Sequence, residues 1–192
     1  MRRFDILEIY KLPNTVFTTK DVAIRFGETD LNILKARLNY YVRTKKLIAL
    51  RRGIFAKDRD YDKFELATKI YTPAYISLET VLQREGIIFQ YYGTIFIASY
   101  LSREIVVDGT TYLYRKIKDR VLMNLAGIEA RDQYFIASRE RAFLDVLYLY
   151  GTYHFDNLGP LNWDLCFEIL PIYENKALGR RLNRLFKEAE HA

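Results

Sequence analysis

Residues 18–57, TTKDVAIRFGETDLNILKARLNYYVRTKKLIALRRGIFAK, decide the fold expected for the first part of the chain. The pattern predicts a short helix that begins at Thr18 and stops at Gly27, then a four-residue turn and a longer helix over 31–46. The apolar runs 47–50 and 54–57 flank Arg51-Arg52-Gly53 and predict a β-hairpin. This order is typical of a winged helix-turn-helix, in which the second helix enters a DNA major groove.

The charge distribution favours the same interpretation. Residues 1–57 contain 13 Lys and Arg against 5 Asp and Glu, a net charge of +8, whereas residues 58–192 contain 17 against 19, a net charge of −2. The excess of the whole chain, +6, therefore arises from its first third. A basic surface confined to one part of a protein is expected where only that part faces phosphate.

The second helix of this segment has two faces. An inward face is predicted from apolar spacing, and its members are Leu31, Leu34, Leu38, Tyr41 and Val42. The other face carries Asn32, Lys35, Ala36, Asn39, Tyr40 and Arg43. Asn pairs with adenine and Lys or Arg with guanine, while the same cations can equally hold phosphate. An ordinary solvated helix with a cationic face is the alternative.

The hairpin arginines are expected to contact phosphate or the minor groove, although exposed turn charges are the alternative. The candidate DNA-binding residues are thus Thr19, Lys20, Asn32, Lys35, Asn39, Tyr40, Arg43, Arg51 and Arg52. Because one small module supplies little buried area, two copies are expected on an inverted repeat in operator DNA.

Composition limits the remaining classes. The 192 residues are 50% hydrophobic, enough for one or two cores, and no apolar run approaches the ~20 residues that span a bilayer. The sequence lacks a signal-peptide pattern at its start, and the lone Cys166 fits a reducing compartment, so a cytoplasmic protein without membrane partners is expected. Sixteen tyrosines and twelve phenylalanines leave material for a protein interface.

We predict an α+β chain with a winged helix-turn-helix in 1–60 and a mixed α/β domain in 61–192, built on a small antiparallel sheet with C-terminal helices. Pro73 predicts a loop over 71–76, and Ser77 is the expected cap of a helix that ends at Glu85. The remaining expected helices cover 2–11, 63–70, 139–150, 162–170 and 177–189. The expected strands cover 94–99, 104–107, 110–117 and 133–137, with Asp108-Gly109 as a hairpin turn, and Ser138 is the expected cap of the helix over 139–150.

Two motifs of the second domain resemble the AbiEi family of antitoxins and transcriptional regulators of abortive-infection toxin–antitoxin systems. The first is Tyr71-Thr72-Pro73-Ala74-Tyr75-Ile76-Ser77-Leu78-Glu79-Thr80-Val81-Leu82, followed by Gly86-Ile87-Ile88. The second is Ile136-Ala137-Ser138-Arg139-Glu140-Arg141-Ala142-Phe143-Leu144-Asp145-Val146-Leu147, in which Arg139 replaces a frequent Pro. The resemblance implies repression of the chain's own operon through inverted repeats. It also implies that the second domain opposes a nucleotidyltransferase-like toxin, directly or indirectly.

The sequence offers little for catalysis, and we expect neither an enzyme nor a bound cofactor or metal. Common nucleophile, metal-binding and phosphate-loop motifs do not occur, and the two histidines are His154 and the penultimate His191. Cys166 is expected to be a small buried hydrophobe. Asp145 lies in an apolar helix, where Arg139, Arg141 or nearby backbone is expected to satisfy its carboxylate.

Two alternative functions stay open. Glu174-Asn175-Lys176 has the Glu-x-Lys spacing of metal-dependent nucleases, with Asp164 or Asp156 upstream, although helical periodicity and Pro171 argue against the strands that such sites need. The second alternative is a pure protein-interaction module, against which the net charge of residues 1–57 argues.

Overall fold

The computed structural model describes residues 5–190 and has an α+β fold. The chain divides into two compact units with the boundary between Ile70 and Tyr71. This boundary lies later than the predicted one because the helix over Lys63–Ile70 belongs to the first unit. Its buried Glu65 accepts hydrogen bonds from the backbone N–H groups of Thr15 (2.8 Å) and Val16 (3.0 Å).

The first unit combines four helices with a three-stranded antiparallel sheet in its described residues. In chain order the elements are α1 (Ile6–Tyr10), β1 (Val16–Thr18), α2 (Thr19–Phe26), α3 (Leu31–Arg43), β2 (Ile48–Arg51), β3 (Ile54–Ala56) and α4 (Lys63–Ile70). Strand β3 lies between β1 and β2. One apolar core joins the helices to the sheet, formed by Ile6, Ile9, Phe17, Val22, Leu34, Leu38, Tyr41, Leu47 and Phe55.

Three expectations about this unit need correction. Helix α3 ends at Arg43 rather than Lys46, because Lys45 adopts a positive φ of 56°. Leu31 does not join the inward face, since its side chain is 47% exposed in the first turn of α3. The first helix begins at Ile6, while residues 2–4 of the expected helix lie outside the described part of the chain.

The second unit is built on a six-stranded mixed sheet. Its strands are β4 (Ala74–Ile76), β5 (Thr94–Ser99), β6 (Arg103–Val107), β7 (Thr110–Lys116), β8 (Ile128–Arg131) and β9 (Tyr134–Ala137). Their spatial order is β6-β7-β5-β4-β9-β8. The antiparallel hairpins β6–β7 and β8–β9 form the two ends, and two parallel pairs, β5–β7 and β4–β9, lie inside. The expected small antiparallel sheet is thus larger and mixed.

Helices complete this unit. They are α5 (Glu79–Arg84), α6 (Asp119–Leu122), α7 (Arg139–Tyr150), α8 (Trp163–Ile169) and α9 (Lys176–Glu190), with a 3-10 turn over Leu170–Tyr173. Helix α7 has its predicted bounds, and Ser138 caps it by accepting a hydrogen bond from the Arg141 N–H (3.2 Å). Ser77 does not cap α5, because its hydroxyl donates to Asp145 (2.8 Å) and Leu78 occupies the cap position.

Within the described residues, no helix is both long and apolar enough to cross a membrane.

Candidate nucleic-acid interface

Local hydrogen bonds and a glycine stop fix the start and end of α2 and the start of α3. The Thr18 side chain accepts from the Asp21 N–H (3.0 Å), and the Asp21 carboxylate accepts from the Thr18 N–H (2.9 Å), which forms a complete capping box. Gly27 ends α2 in the left-handed region at φ 64°. Asp30 then caps α3 by accepting from the N–H groups of Asn32 (2.8 Å) and Ile33 (3.2 Å). The sequence therefore specifies this helix pair locally.

The exposed face of α3 is rich in hydrogen-bonding groups. Because successive helical residues turn by about 100°, Asn32, Asn39 and Arg43 form a stripe opposite the buried residues of α3, with Ala36 between them. Lys35 flanks this stripe on one side and Tyr40, 50% exposed, flanks it on the other. Helix α3 contains no Asp or Glu. The five predicted residues of this helix thus share one cationic, solvent-facing surface.

The tip of the β2–β3 hairpin is tied to the start of α2. Gly53 has a φ of 75°, which the tight turn requires, and its carbonyl accepts hydrogen bonds from the Thr19 N–H (2.9 Å) and hydroxyl (3.4 Å). Arg52 and Lys20 are exposed beside this junction, whereas Arg51 and Thr19 are half-buried. Thr19 therefore positions the hairpin, and the exposed cations nearest the junction are Lys20 and Arg52.

The second unit contains a buried polar network that sequence reasoning found only in part. Asp145 is fully buried and accepts hydrogen bonds from the hydroxyls of Tyr75 (2.9 Å), Ser77 (2.8 Å) and Tyr173 (2.6 Å). Arg141, also fully buried, lies 3.3 Å from the same carboxylate. The expectation that Arg141 satisfies Asp145 is confirmed, whereas Arg139 lies near Glu85 (3.4 Å) and Glu140 (3.7 Å) instead.

Arg141 has partners for its whole guanidinium group. Besides Asp145, it donates to the Tyr75 hydroxyl (3.0 Å) and to the carbonyls of Val121 (2.7 Å), Ala126 (2.7 Å) and Asn124 (3.4 Å). Burial alone would lower the pKa of Arg141, but the neighbouring Asp145 holds it above its usual value. All N–H groups of the Arg141 guanidinium thus have acceptors inside the fold.

The two hydroxyl donors also respond to burial. The pKa values of Tyr75 and Tyr173 are raised well above the usual value, first by burial and then by the negative charge of Asp145. Both tyrosines consequently stay protonated and donate to the carboxylate at physiological pH. Tyr75 belongs to the first motif quoted above, whereas no local pattern in the sequence identified Tyr173.

The other candidate chemical groups do not converge. Cys166 is buried as expected, and burial followed by the charge of Glu140 raises the pKa of its thiol to about 12. Glu174 follows the 3-10 turn and pairs with Arg120, while Lys176 begins α9, so the Glu-x-Lys stretch does not lie on a strand. In the part of the chain that the structure describes, no three His, Cys, Asp or Glu side chains cluster closely enough to hold a metal ion. His191 lies outside that part.

A cleft of about 800 Å³ in the second unit was not foreseen. It lies between the β8–β9 hairpin, the start of α7 and helix α8. Its charged side chains have both signs, and several pair with each other, as Arg131 does with Glu129 (2.6 Å) and Arg139 with Glu85. This balance indicates no particular class of ligand.

No protein-family model matches the sequence, and no curated protein is significantly similar to it. The likeness to AbiEi antitoxins therefore depends on the two motifs quoted above.

Proposed function

We propose that the first unit is a winged helix-turn-helix that binds DNA through the exposed face of α3 and the β2–β3 hairpin. The observation that carries this proposal is the carboxylate-free surface of α3, on which Asn32, Asn39, Lys35 and Arg43 face solvent together. Amide and cationic side chains at this spacing suit base edges and phosphates, and a helix of 13 residues fits the major groove.

The arrangement of the unit supports this proposal. A four-residue turn containing a left-handed glycine joins α2 to α3, as in helix-turn-helix motifs. A helix, the helix pair and a hairpin follow each other in the order expected for a winged helix, and strand β1, which the sequence did not predict, pairs with β3 of the hairpin. The tie between Thr19 and Gly53 would hold the exposed Arg52 and Lys20 beside the same DNA backbone.

The experiment is a titration of DNA from the chain's own promoter at several salt concentrations. Arg43→Ala and Arg52→Ala should each weaken binding and reduce the log–log salt slope by ~0.9 for a lost phosphate contact. Lys187→Ala, which removes an exposed cation from α9 of the second unit, is the matched control. Unchanged affinity for both α3 and hairpin variants would reject the interface and favour a protein-interaction module.

Base readout needs a separate measurement. If Asn39 contacts a base edge, Asn39→Ala should lose ~1–3 kcal/mol on operator DNA and relax the preference at one position. An equal loss on unrelated DNA would identify the contact as backbone anchoring.

We further propose, from the motif resemblance, that the chain is an antitoxin that represses its own operon and opposes a nucleotidyltransferase-like toxin. Co-expression of the toxin from the neighbouring gene with residues 71–192 tests the second role. The fragment starts at 71 because a start at 61 would strip α4 from Thr15 and Val16, which its Glu65 binds. A folded fragment that fails to relieve toxicity, while the full chain succeeds, would contradict an antitoxin role confined to the second unit.

A further inference from the structure

Strand β8 forms one end of the six-stranded sheet, and its outer edge is open. No strand in residues 5–190 pairs with that side, and Glu129, Ala130 and Arg131 are all exposed. The Ile128 N–H donates to the Leu125 carbonyl (2.9 Å) rather than to β9. Because backbone groups alternate in direction along a strand, the N–H and C=O of Ala130 also point away from β9. An unpaired edge of this kind is a template for a further strand.

We propose that β8 pairs with β8 of a second copy of the chain, antiparallel about a two-fold axis at Ala130. This axis lets the two Ala130 residues exchange both backbone hydrogen bonds. It also sets Glu129 of each copy opposite Arg131 of the other, in the closely spaced, non-hydrogen-bonded type of pair. The edge is thus complementary to itself in both backbone and charge.

The opposite end of the sheet does not have this property. Val107 and Thr110 form the closing pair of the Asp108-Gly109 turn, so the backbone N–H and C=O of Val107 point toward β7. Because these groups alternate in direction along the strand, those of Glu104 and Val106 point outward from β6. Pairing about Glu104 would set two Glu104 side chains against each other. Pairing about Val106 would set Glu104 opposite Asp108. Like charges directly opposite destabilise a ladder, so both of these registers are disfavoured. A register about Ile105 would set Glu104 opposite Val106 and would pair no charges, whereas the register about Ala130 in β8 sets opposite charges against each other at both sides of the axis.

Large apolar side chains near β8 favour a protein partner over solvent. Leu125, whose carbonyl holds the Ile128 amide, is 70% exposed, and Met123 is 65% exposed. On β9, Phe135 is 49% exposed and lies opposite Ala130 in the hairpin register. In the paired arrangement, the β8–β9 turn of each copy would cover Leu125 of the other copy. The contact is short, so we expect it to be weak between free copies and stronger when two copies share one DNA.

This inference goes beyond the proposed DNA binding and is tested without DNA. Ala130→Cys places two thiols across the axis, where Cα atoms ~5.5 Å apart suit a disulfide. Mild oxidation of the full chain should therefore yield a covalent dimer that reducing agent reverses. Glu104→Cys, an exposed position on the opposite edge, controls for random collision, and the native Cys166 is buried. Equal cross-linking of both variants would overturn the proposal.

Charge reversal provides the second test. Glu129→Arg alone sets arginine against arginine in both cross-strand pairs, and Arg131→Glu alone sets glutamate against glutamate. Each variant alone should raise the dimer dissociation constant by at least about tenfold, measured by sedimentation. An equimolar mixture restores two attractive pairs and should form the mixed dimer.

The mixture experiment distinguishes the cross-strand pairs between two copies from the Glu129–Arg131 pair within one copy. Glu129 and Arg131 of one copy already lie 2.6 Å apart, and both variants lose that pair, which mixing cannot restore. A mixture that associates no better than its components would refute the β8 interface, whereas recovery specific to the mixture would support it.

Discussion

The substitution Asp145→Asn removes one charge from a network that water does not reach. Asp145 and Arg141 are both fully buried, so the change leaves the Arg141 guanidinium without its counter-ion. Removing one member of a buried ion pair typically destabilises a protein by ~3–5 kcal/mol. Asparagine is nearly isosteric and can still accept from one or two of the hydroxyls of Tyr75, Ser77 and Tyr173, which favours the lower end, about 3 kcal/mol.

The single tryptophan reports on the unit that this change affects. Trp163 lies on α8 and packs against Phe143 and Phe186, with ring centroids 6.0 and 5.4 Å away. Its fluorescence during urea unfolding therefore follows the second unit. With a slope of roughly 2 kcal/mol per molar urea, the midpoint of Asp145→Asn should fall by about 1.5 M.

Two variants bracket this result. Asp164→Asn changes an exposed carboxylate in the first turn of α8 and should cost less than about 1 kcal/mol. Tyr173→Phe removes one hydroxyl donor to Asp145 and should lower the free energy of unfolding by ~1–2 kcal/mol, between the effects of Asp164→Asn and Asp145→Asn. If Asp145→Asn unfolds at the same urea concentration as Asp164→Asn, the network does not stabilise the unit and the reasoning fails.

Three further predictions use other features. Gly127→Ala should destabilise the second unit by at least ~2 kcal/mol, because its φ is +69° and a new Cβ would lie 2.8 Å from an atom of Arg141. Gly86 has a similar φ of +70° but open space around it, so Gly86→Ala should cost only ~1 kcal/mol in the same urea assay. Burial raises the pKa of Glu79, so the fold disfavours the ionised form of this side chain. The free energy of unfolding of the wild type should therefore fall relative to that of Glu79→Gln as the pH rises from the pKa of Glu79 in the unfolded chain through its pKa in the fold. Parallel curves of stability against pH for the two proteins would contradict this. Thr18→Ala removes the capping box of α2 and should lower the thermal stability of the first unit by ~1 kcal/mol, followed by circular dichroism, with no change in Trp163 fluorescence.

Local signals in the sequence predicted much of the fold. The cap at Ser138, the glycine stop at Gly27 and the Asp108-Gly109 turn all act through neighbours within a few residues, so the elements beside them have nearly their predicted bounds. Strand β4 was missed because it has three residues, and its parallel pairing of Ile76 with Ile136 depends on a distant part of the chain. Periodicity cannot reveal such a pairing.

The candidate interface shows the same division. Helical spacing placed Asn32, Asn39 and Arg43 on one face, and α3 exposes all three. The same spacing wrongly buried Leu31, because periodicity identifies the direction of a side chain but not where the core ends along the helix. The hydrogen bond from half-buried Thr19 to Gly53 could not be predicted without the hairpin in place, and a contact of Thr19 with DNA stays a prediction.

The burial of the network residues within the two motifs that resemble AbiEi antitoxins bears on how the proposed antitoxin role should be tested. Tyr75 and Ser77 from the first motif meet Arg141 and Asp145 from the second, and each of the four side chains is at most 3% exposed. Such residues specify how the second unit folds and cannot touch a toxin while it stays folded. A resemblance based on them therefore supports a shared architecture more directly than a shared partner. If the chain neutralises a toxin by contact, exposed residues outside this network must do it, and substitutions within the network should reduce neutralisation only in proportion to the folded protein that they remove.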